Sequence, residues 1–411
     1  MGIKQDAETI MERALASAMP GAAVREALEK TDLTGGKLIV VAAGKAAWEM
    51  ASAASGVLGG RISRGVVITK YQHSRGEIPG FEIHEAGHPV PDTNSYRATG
   101  RALEAVKGLA PEDKVLFLLS GGGSALFEKP LVEPEEMETV TRELLACGAD
   151  IVEINTVRKR LSAVKGGRFA LACAPAHVYT VVLSDVIGDP LDMIASGPAY
   201  PDSSTAQQAE ETVKRYGLHL SATAAELIKR ETPKKLDNVD TFVTGSVRQL
   251  CRSAAETAEE LGYEPVFLTA CLNCEAKEAG RFLGSIAKDH QSDGKSLAFI
   301  AGGETVVHLT GNGKGGRNQE IALAAAAEIS GLPDTCVFSA GSDGTDGPTD
   351  AAGGIADGET AEKLRKAGFD IRRVLADNDA YTALKAVDGL IMTGPTGTNV
   401  NDLTVLLIRR Q

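Results

Sequence analysis

VLFLLSGGGSAL, residues 115–126, carries an unbroken apolar run into three consecutive glycines and then into small residues that suit the start of a helix. An apolar run without alternation marks a strand covered on both faces. A glycine turn leading from such a strand into a helix is the passage found in parallel α/β layers. The same plan recurs outward from this stretch. Strand-like runs lie at LIVVAA (38–43), VVIT (66–69), VYTVVLS (178–184), TFVTG (241–245), PVFLT (265–269), LAFIAG (297–302), VFSAG (337–341), GLIMTG (389–394) and LTVLLI (403–408). Helical patterns at 6–18, 94–107, 317–329 and 358–367 separate many of them. The pattern predicts an α/β protein with mostly parallel sheet. TVVHL (305–309) follows LAFIAG across Gly303-Glu304 and predicts a hairpin, hence a mixed sheet in the second half. The polar stretch KRETPKKLDNVD (229–240) is the natural boundary, giving domains 1–235 and 236–411.

The chain has 411 residues, room for two domains, and a formal net charge of -12. That balance argues against nucleic acid or an anionic membrane as the main partner, since both need a basic footprint. No apolar run approaches the roughly 20 residues that span a bilayer. The N-terminus, MGIKQDAE, is polar and acidic, unlike a signal peptide. Six cysteines are scattered, with only Cys271 and Cys274 in C-x-x-C spacing, where a zinc site would want a second pair. The expectation is a cytoplasmic protein with free thiols.

Glycine and small polar residues gather just after the apolar runs, where open α/β sheets bind ligands. Lys45 follows LIVVAA at a helix start, where it either reaches an anion or is simply solvated. Ser120, Gly121, Gly122, Gly123 and Ser124 form a turn with more glycine than turning requires, suited to cradle an anion through backbone N–H groups. Arg158 and Lys165, in NTVRKRLSAVKGG, belong either to a basic binding patch or to a solvated helix face. Asp185 and Asp189 end another strand beside glycines, which suits Mg²⁺ or a turn. Asp343 and Asp346, in SDGTDGPTD, read equally as metal ligands, a general base or a turn. Gly311, Gly313 and Gly316 match G-x-G-x-x-G, but Lys314, Arg317 and Asn318 crowd that turn in a way that favours phosphoryl or carboxylate over a dinucleotide. There is no Walker A pattern and no G-x-S-x-G elbow. His84 and His88 stand four apart, but Pro89 disfavours a zinc-binding helix there.

Six segments in order, SGGGSAL, NTVRKRLSAVKGG, SDVIGD with IASGP, GGET…GKGGRNQE, SDGTDGPTDAAGG and TGPTGTNVNDL, resemble the class II glycerate 2-kinase family, whose C-terminal part is called the MOFRL domain. The resemblance runs from about Lys45 to Asp402. It implies an N-terminal Rossmann-like α/β/α domain, a C-terminal MOFRL-type domain, and an active site in the cleft between them. It also implies ATP-dependent conversion of D-glycerate to 2-phosphoglycerate, with Lys45 and Arg317 as active-site residues. Arg160 stands where the family more often has histidine, and Ala301 where it has serine. On this reading Lys45 and Arg317 meet the transferring phosphoryl group or the glycerate carboxylate. Asp189, supported by Asp185, handles Mg²⁺ or the substrate proton, with Asp343 and Asp346 second. Arg158, Lys165, Gly313, Lys314 and Asn318 add to the phosphate site. The expected partner is a small molecule, with room for a homodimer. An NAD(P)-dependent hydroxypyruvate reductase and a metabolite-binding protein without turnover are the other classes.

Overall fold

Six strands make the first sheet: β1 (Leu38–Ala43), β2 (Ile62–Lys70), β3 (Phe81–Ala86), β4 (Lys114–Leu119), β5 (His177–Leu183) and β6 (Val239–Gly245). Their order across the sheet is β3-β2-β1-β4-β5-β6, and the pairs from β3 to β5 are parallel. This is the strand order of a Rossmann sheet, as expected. Strand β1 is buried at every position, which explains its unbroken apolar sequence. Strand β3 at the edge, FEIHEA, is half-exposed and carries charge, so it lacks the apolar signature and went unpredicted.

The second sheet holds β7 (Glu264–Leu272), β8 (Leu297–Gly303), β9 (Thr335–Gly341), β10 (Gly353–Asp357), β11 (Leu390–Ile391) and β12 (Asp402–Ile408), in the order β11-β10-β9-β12-β8-β7. It is mixed, but not for the reason the sequence suggested. The predicted hairpin of 297–309 does not form. Beyond Gly303 the chain continues beside the end of β7, with Glu304 N–H donating to Leu272 O at 2.8 Å and Val306 N–H to Cys274 O at 3.1 Å. The antiparallel pairing comes from β12, which inserts between β8 and β9, and from β10, which pairs with β9 and β11.

The computed structural model describes residues 2–184 and 191–410. These divide into two compact units, with the change at Thr244/Gly245 rather than at 235/236, because β6 completes the first sheet. The chain up to Met19 belongs to the second unit. Its helix, Ile3–Ser17, buries Ala7, Ile10, Met11, Ala14 and Leu15. Asp6 on that helix accepts from Tyr263 Oη at 2.7 Å and pairs with Arg409 at 3.1 Å. Among the described residues no helix is long and apolar enough to cross a membrane.

Candidate active site

In the first unit, strand order reverses between β1 and β4, and an open sheet of this kind leaves its ligand crevice at the carboxyl ends of those strands. Lys45 follows β1, and the SGGGS turn follows β4. The two turns are locked together. Lys45 N–H donates to Gly121 O at 2.9 Å, and Ala46 N–H donates to Ser120 Oγ at 3.1 Å. Gly44, at φ +127°, lies so close that an added Cβ would sit 2.2 Å from Ser120 Oγ. Gly122 adopts φ +84° and opens the one-turn helix Gly123–Leu126. The N–H groups of Gly121 and Gly122 donate to no described residue.

The turn rests on a buried polar platform. Lys165, wholly buried, donates to Ser124 O at 2.8 Å and Phe127 O at 3.3 Å, and its ammonium stands 3.3 Å from the buried Glu128 carboxylate. Arg158 reaches the same Ser124 carbonyl at 3.3 Å and Glu128 at 3.5 Å. Ser162 Oγ donates to Glu128 at 2.5 Å. Burial lowers the Lys165 amine to about 8, with Glu128 pulling the other way. Below, Phe117, Phe127 and Phe169 form a ring cluster with centroids 4.7–5.3 Å apart. Both basic residues therefore hold the turn from beneath, with Lys165 wholly enclosed. A solvent-facing phosphate contact, as the sequence suggested for Lys165, is not where its amine lies. On the turn's flank, Ser124 Oγ meets Ser196 Oγ at 3.3 Å, and Ser196 donates to Asn155 at 2.9 Å. Ala195 and Ser196 hold positive φ, 49° and 62°, unusual for residues other than glycine.

Above the turn the charge is cationic. Lys45 and Lys70, both half-buried, form no ion pair among the described residues. His73 Nδ1 lies 3.2 Å from Lys45 O. His88, just past β3, packs over the turn: a Cβ on Gly122 would lie 3.0 Å from its Cδ2, 3.1 Å from its Nε2 and 3.2 Å from Lys45 Cγ. In a chain of net charge -12, Lys45 beside the turn's N–H groups and Lys70 acting on His88, neither with an ion pair among the described residues, are arranged to receive an anion. Lys70 and His73 follow β2 and His88 follows β3, whose half-exposed sequence gives no strand signal, so the sequence does not bring them together.

In the second unit, Arg317 begins the helix Arg317–Glu328. Asp402, the first residue of β12, lies in register with Gly303 and Gly341 at the ends of β8 and β9. Its carboxylate accepts from Arg317 Nε at 2.6 Å and Nη2 at 3.0 Å, while Glu304 stands 3.3 Å from Nη1. Burial works against the guanidinium charge, but the Asp402 pair outweighs it and holds Arg317 above its ordinary value. The helix is set close to its neighbour Ala276–Asp289 by glycines: a Cβ on Gly280 would lie 2.3 Å from Ile321 O.

The G-x-G-x-x-G turn is built for packing. Gly311 and Gly313 press against Asp377 and Asp379, where a Cβ would lie 2.3 and 2.4 Å from their atoms. Gly313 N–H donates to Asp377 O at 2.8 Å and Lys314 N–H to Asp379 Oδ1 at 3.1 Å. The Lys314 ammonium lies 4.4 Å from the Tyr381 ring centroid. The N–H groups of Gly313 and Lys314 are thereby taken within the protein. Asn318 is also committed: it is fully buried, accepting from Ser339 at 2.5 Å and donating to Asp346 at 3.3 Å.

Family models match most of the chain. One, described as a domain of unknown function, DUF4147, covers residues 6–229, and the MOFRL family model covers residues 297–402. A D-glycerate 2-kinase of Thermotoga maritima is 53% identical over 412 residues, 99% of this chain and 98% of that one. The chain belongs to the glycerate 2-kinase family. A glycerate 2-kinase of Pyrococcus horikoshii is 41% identical over 91% of this chain and 88% of its own. A crystal structure of glycerate kinase from Thermotoga maritima matches with a TM-score of 0.93 and 52% identity, covering 99% of both chains.

Of the described carboxylates proposed for a metal, Asp346 fits poorly. Asp346 Oδ1 accepts from Asn318 N–H at 3.1 Å and Oδ2 from Gln319 N–H at 2.9 Å, so it caps the Arg317 helix. Asp343 closes a turn onto Thr345 at 2.9 Å. Among the described residues no three acidic, histidine or cysteine side chains gather as a metal site. Asp185 and Asp189 lie outside the described residues. Arg160, where the family more often has histidine, is fully buried and bonded to Thr156 O, Ser204 and Glu231. Ala301 is a buried position of β8.

Proposed function

We propose that the protein transfers the γ-phosphoryl group of ATP to the 2-hydroxyl of D-glycerate, releasing ADP and 2-phosphoglycerate. The observation that carries this reading is the Lys45 side chain, without an ion pair among the described residues, beside the Gly121 and Gly122 N–H groups, which donate to no described residue, at the strand-order reversal. The whole-length likeness to proteins named glycerate 2-kinase supports it. Phosphoryl transfer is mainly a matter of positioning and charge neutralisation, and no covalent protein intermediate is required. Lys45 and Lys70 neutralise one anionic group, and the SGGGS turn fixes it through its backbone.

Arg317 serves a second anionic group in its own unit. Asp402 occupies its Nε–Nη2 edge, so Nη1, now beside Glu304, is the nitrogen an incoming carboxylate or phosphate would take. Mg²⁺ would neutralise charge on the nucleotide phosphates; Asp189 with Asp185 remains the candidate for holding it and Asp343 is second, whereas both oxygens of Asp346 are taken. The protein works as a small-molecule enzyme of the cytoplasm, without nucleic acid or membrane and with room for a homodimer.

The test is ADP release from ATP and Mg²⁺ across a panel of hydroxy acids, with phosphorus NMR to identify the product. Glycerate should stand out and yield the 2-phosphate. Hydroxypyruvate-dependent oxidation of NADH or NADPH without ADP release would replace this reading with a reductase. Ligand binding with no turnover would replace it with a sensor.

A further inference from the structure

His88 has the features of a proton acceptor rather than of a structural imidazole. It is half-buried, and neither ring nitrogen has a hydrogen-bond partner among the described residues. Structural histidines are commonly tied down by a carbonyl or carboxylate, as the partly exposed His177 is to Asp240 at 2.9 Å in this chain. The ring instead lies over the α-carbon of Gly122 and beside the Lys45 side chain, as the 3.0–3.2 Å approaches of a Gly122 Cβ record. It borders the same N–H groups and lysines that form the anion site.

We infer that His88 takes the proton of the substrate hydroxyl during phosphoryl transfer, an inference that rests on the kinase reading. The hydroxyl oxygen forms a bond to the γ-phosphorus, the bond from phosphorus to the β,γ-bridging oxygen breaks with its electrons leaving on ADP, and the hydroxyl proton passes to Nε2. Nδ1 carries the hydrogen of the neutral ring. The charged and titratable groups acting on His88 are Lys45 from the turn after β1, Lys70 at the end of β2 and His73 just beyond. Burial first, then those three neighbours, hold its pKa below the ordinary histidine value, so the ring stays neutral at physiological pH and can accept. An imidazole meets the requirement that a general base titrate near working pH.

The test is the pH profile of turnover in the full-length protein with ATP, Mg²⁺ and D-glycerate. Wild type should lose kcat/KM below the His88 pKa with the slope of one proton. His88→Gln should lose turnover by about a hundredfold or more and also lose that acidic limb. His88→Asn is a second variant should the first fail to fold, judged by its thermal melt. In His88→Ala, added imidazole should restore part of the rate. A folded variant that keeps the acidic limb, or one that raises the KM for glycerate with kcat unchanged, would overturn the inference in favour of simple anion binding. Wild-type protein that releases no ADP with glycerate would overturn the kinase reading itself, and this shows before any substitution is made.

Discussion

Asp402 engages Arg317 through two parallel hydrogen bonds, 2.6 and 3.0 Å, at the point where β12 enters between β8 and β9. A residue on the last strand thus aims the first residue of a central helix. The orientation of the guanidinium depends on its fork, because a lysine offers one point charge and cannot fill both contacts.

Arg317→Lys should therefore cost nearly as much turnover as Arg317→Ala, roughly a hundredfold or more. Asp402→Asn should fall between these variants and wild type, since an amide keeps one acceptor. Steady-state kinetics on the three proteins check the order, and near wild-type turnover in the lysine variant would remove Arg317 from the site.

Lys45→Met gives the opposite profile to a core substitution. Its ammonium has no ion pair to lose among the described residues, so the melting curve should stay within about 0.5 kcal/mol of wild type. Turnover should collapse. Parallel denaturation and kinetic measurements decide it, and a large stability loss would make Lys45 structural.

Gly122→Ala should be felt twice. The positive φ costs stability of roughly 1 kcal/mol or more, and the new methyl meets His88 and Lys45. Calorimetric titration of ATP and glycerate into the folded variant should show weakened binding of at least one. Unchanged affinity for both would reduce the SGGGS turn to scaffold.

Lys165→Met would strand the buried Glu128 carboxylate, with Arg158 at 3.5 Å as the remaining cation. A loss of about 3–5 kcal/mol is expected at neutral pH. The wild-type amine titrates at about 8 when folded, against about 10.4 unfolded. Between those values the unfolded chain holds more protons, so this group's contribution to stability grows as pH rises. It is fully present only above the unfolded value and is lost as pH falls through 8. The gap between wild type and Lys165→Met in urea melts should widen from pH 7 to pH 10, and a constant gap would refute the burial argument.

Asp346→Asn tests the metal reading of its loop. Removing the charge at the cap of the Arg317 helix should cost about 1 kcal/mol of stability. The Mg²⁺ dependence of ADP release should be unchanged. A shifted Mg²⁺ dependence would restore Asp346 as a ligand.

Much of the fold was legible because burial on both faces writes itself as unbroken apolar runs. Strands β1, β4, β5, β8, β9 and β12 fall within a residue or two of their predicted spans. The edge strand β3 and the short β10 were not legible, since exposure and glycine dilute the same signal. The hairpin at 305–309 was misread because strand propensity in TVVHL says nothing about which edge is free; β12, a hundred residues on, had taken it. At the site, the SGGGS turn stood out because glycine content exceeds what geometry needs. Lys165, Asn318 and Asp346 were chemically apt but spatially committed, and sequence shows a side chain's chemistry without showing which of its atoms are already bonded. His88 was hidden for the converse reason, its neighbours coming from three separate strand ends.

The helix Ile3–Ser17 precedes the first unit in the chain and belongs with strands made after it. A ribosome adding roughly 5–20 residues per second needs roughly 20–80 s to travel from this helix to the end of β12. During that interval the stretch from Pro20 to Thr244 can complete its own sheet, while Ala7, Ile10, Met11, Ala14 and Leu15 have nothing to cover them. Until the second unit is made, the nascent chain therefore carries an uncovered apolar stripe ahead of the first unit. That stripe is where a ribosome-associated chaperone would hold the chain, and where premature truncation would leave a product that binds its neighbours.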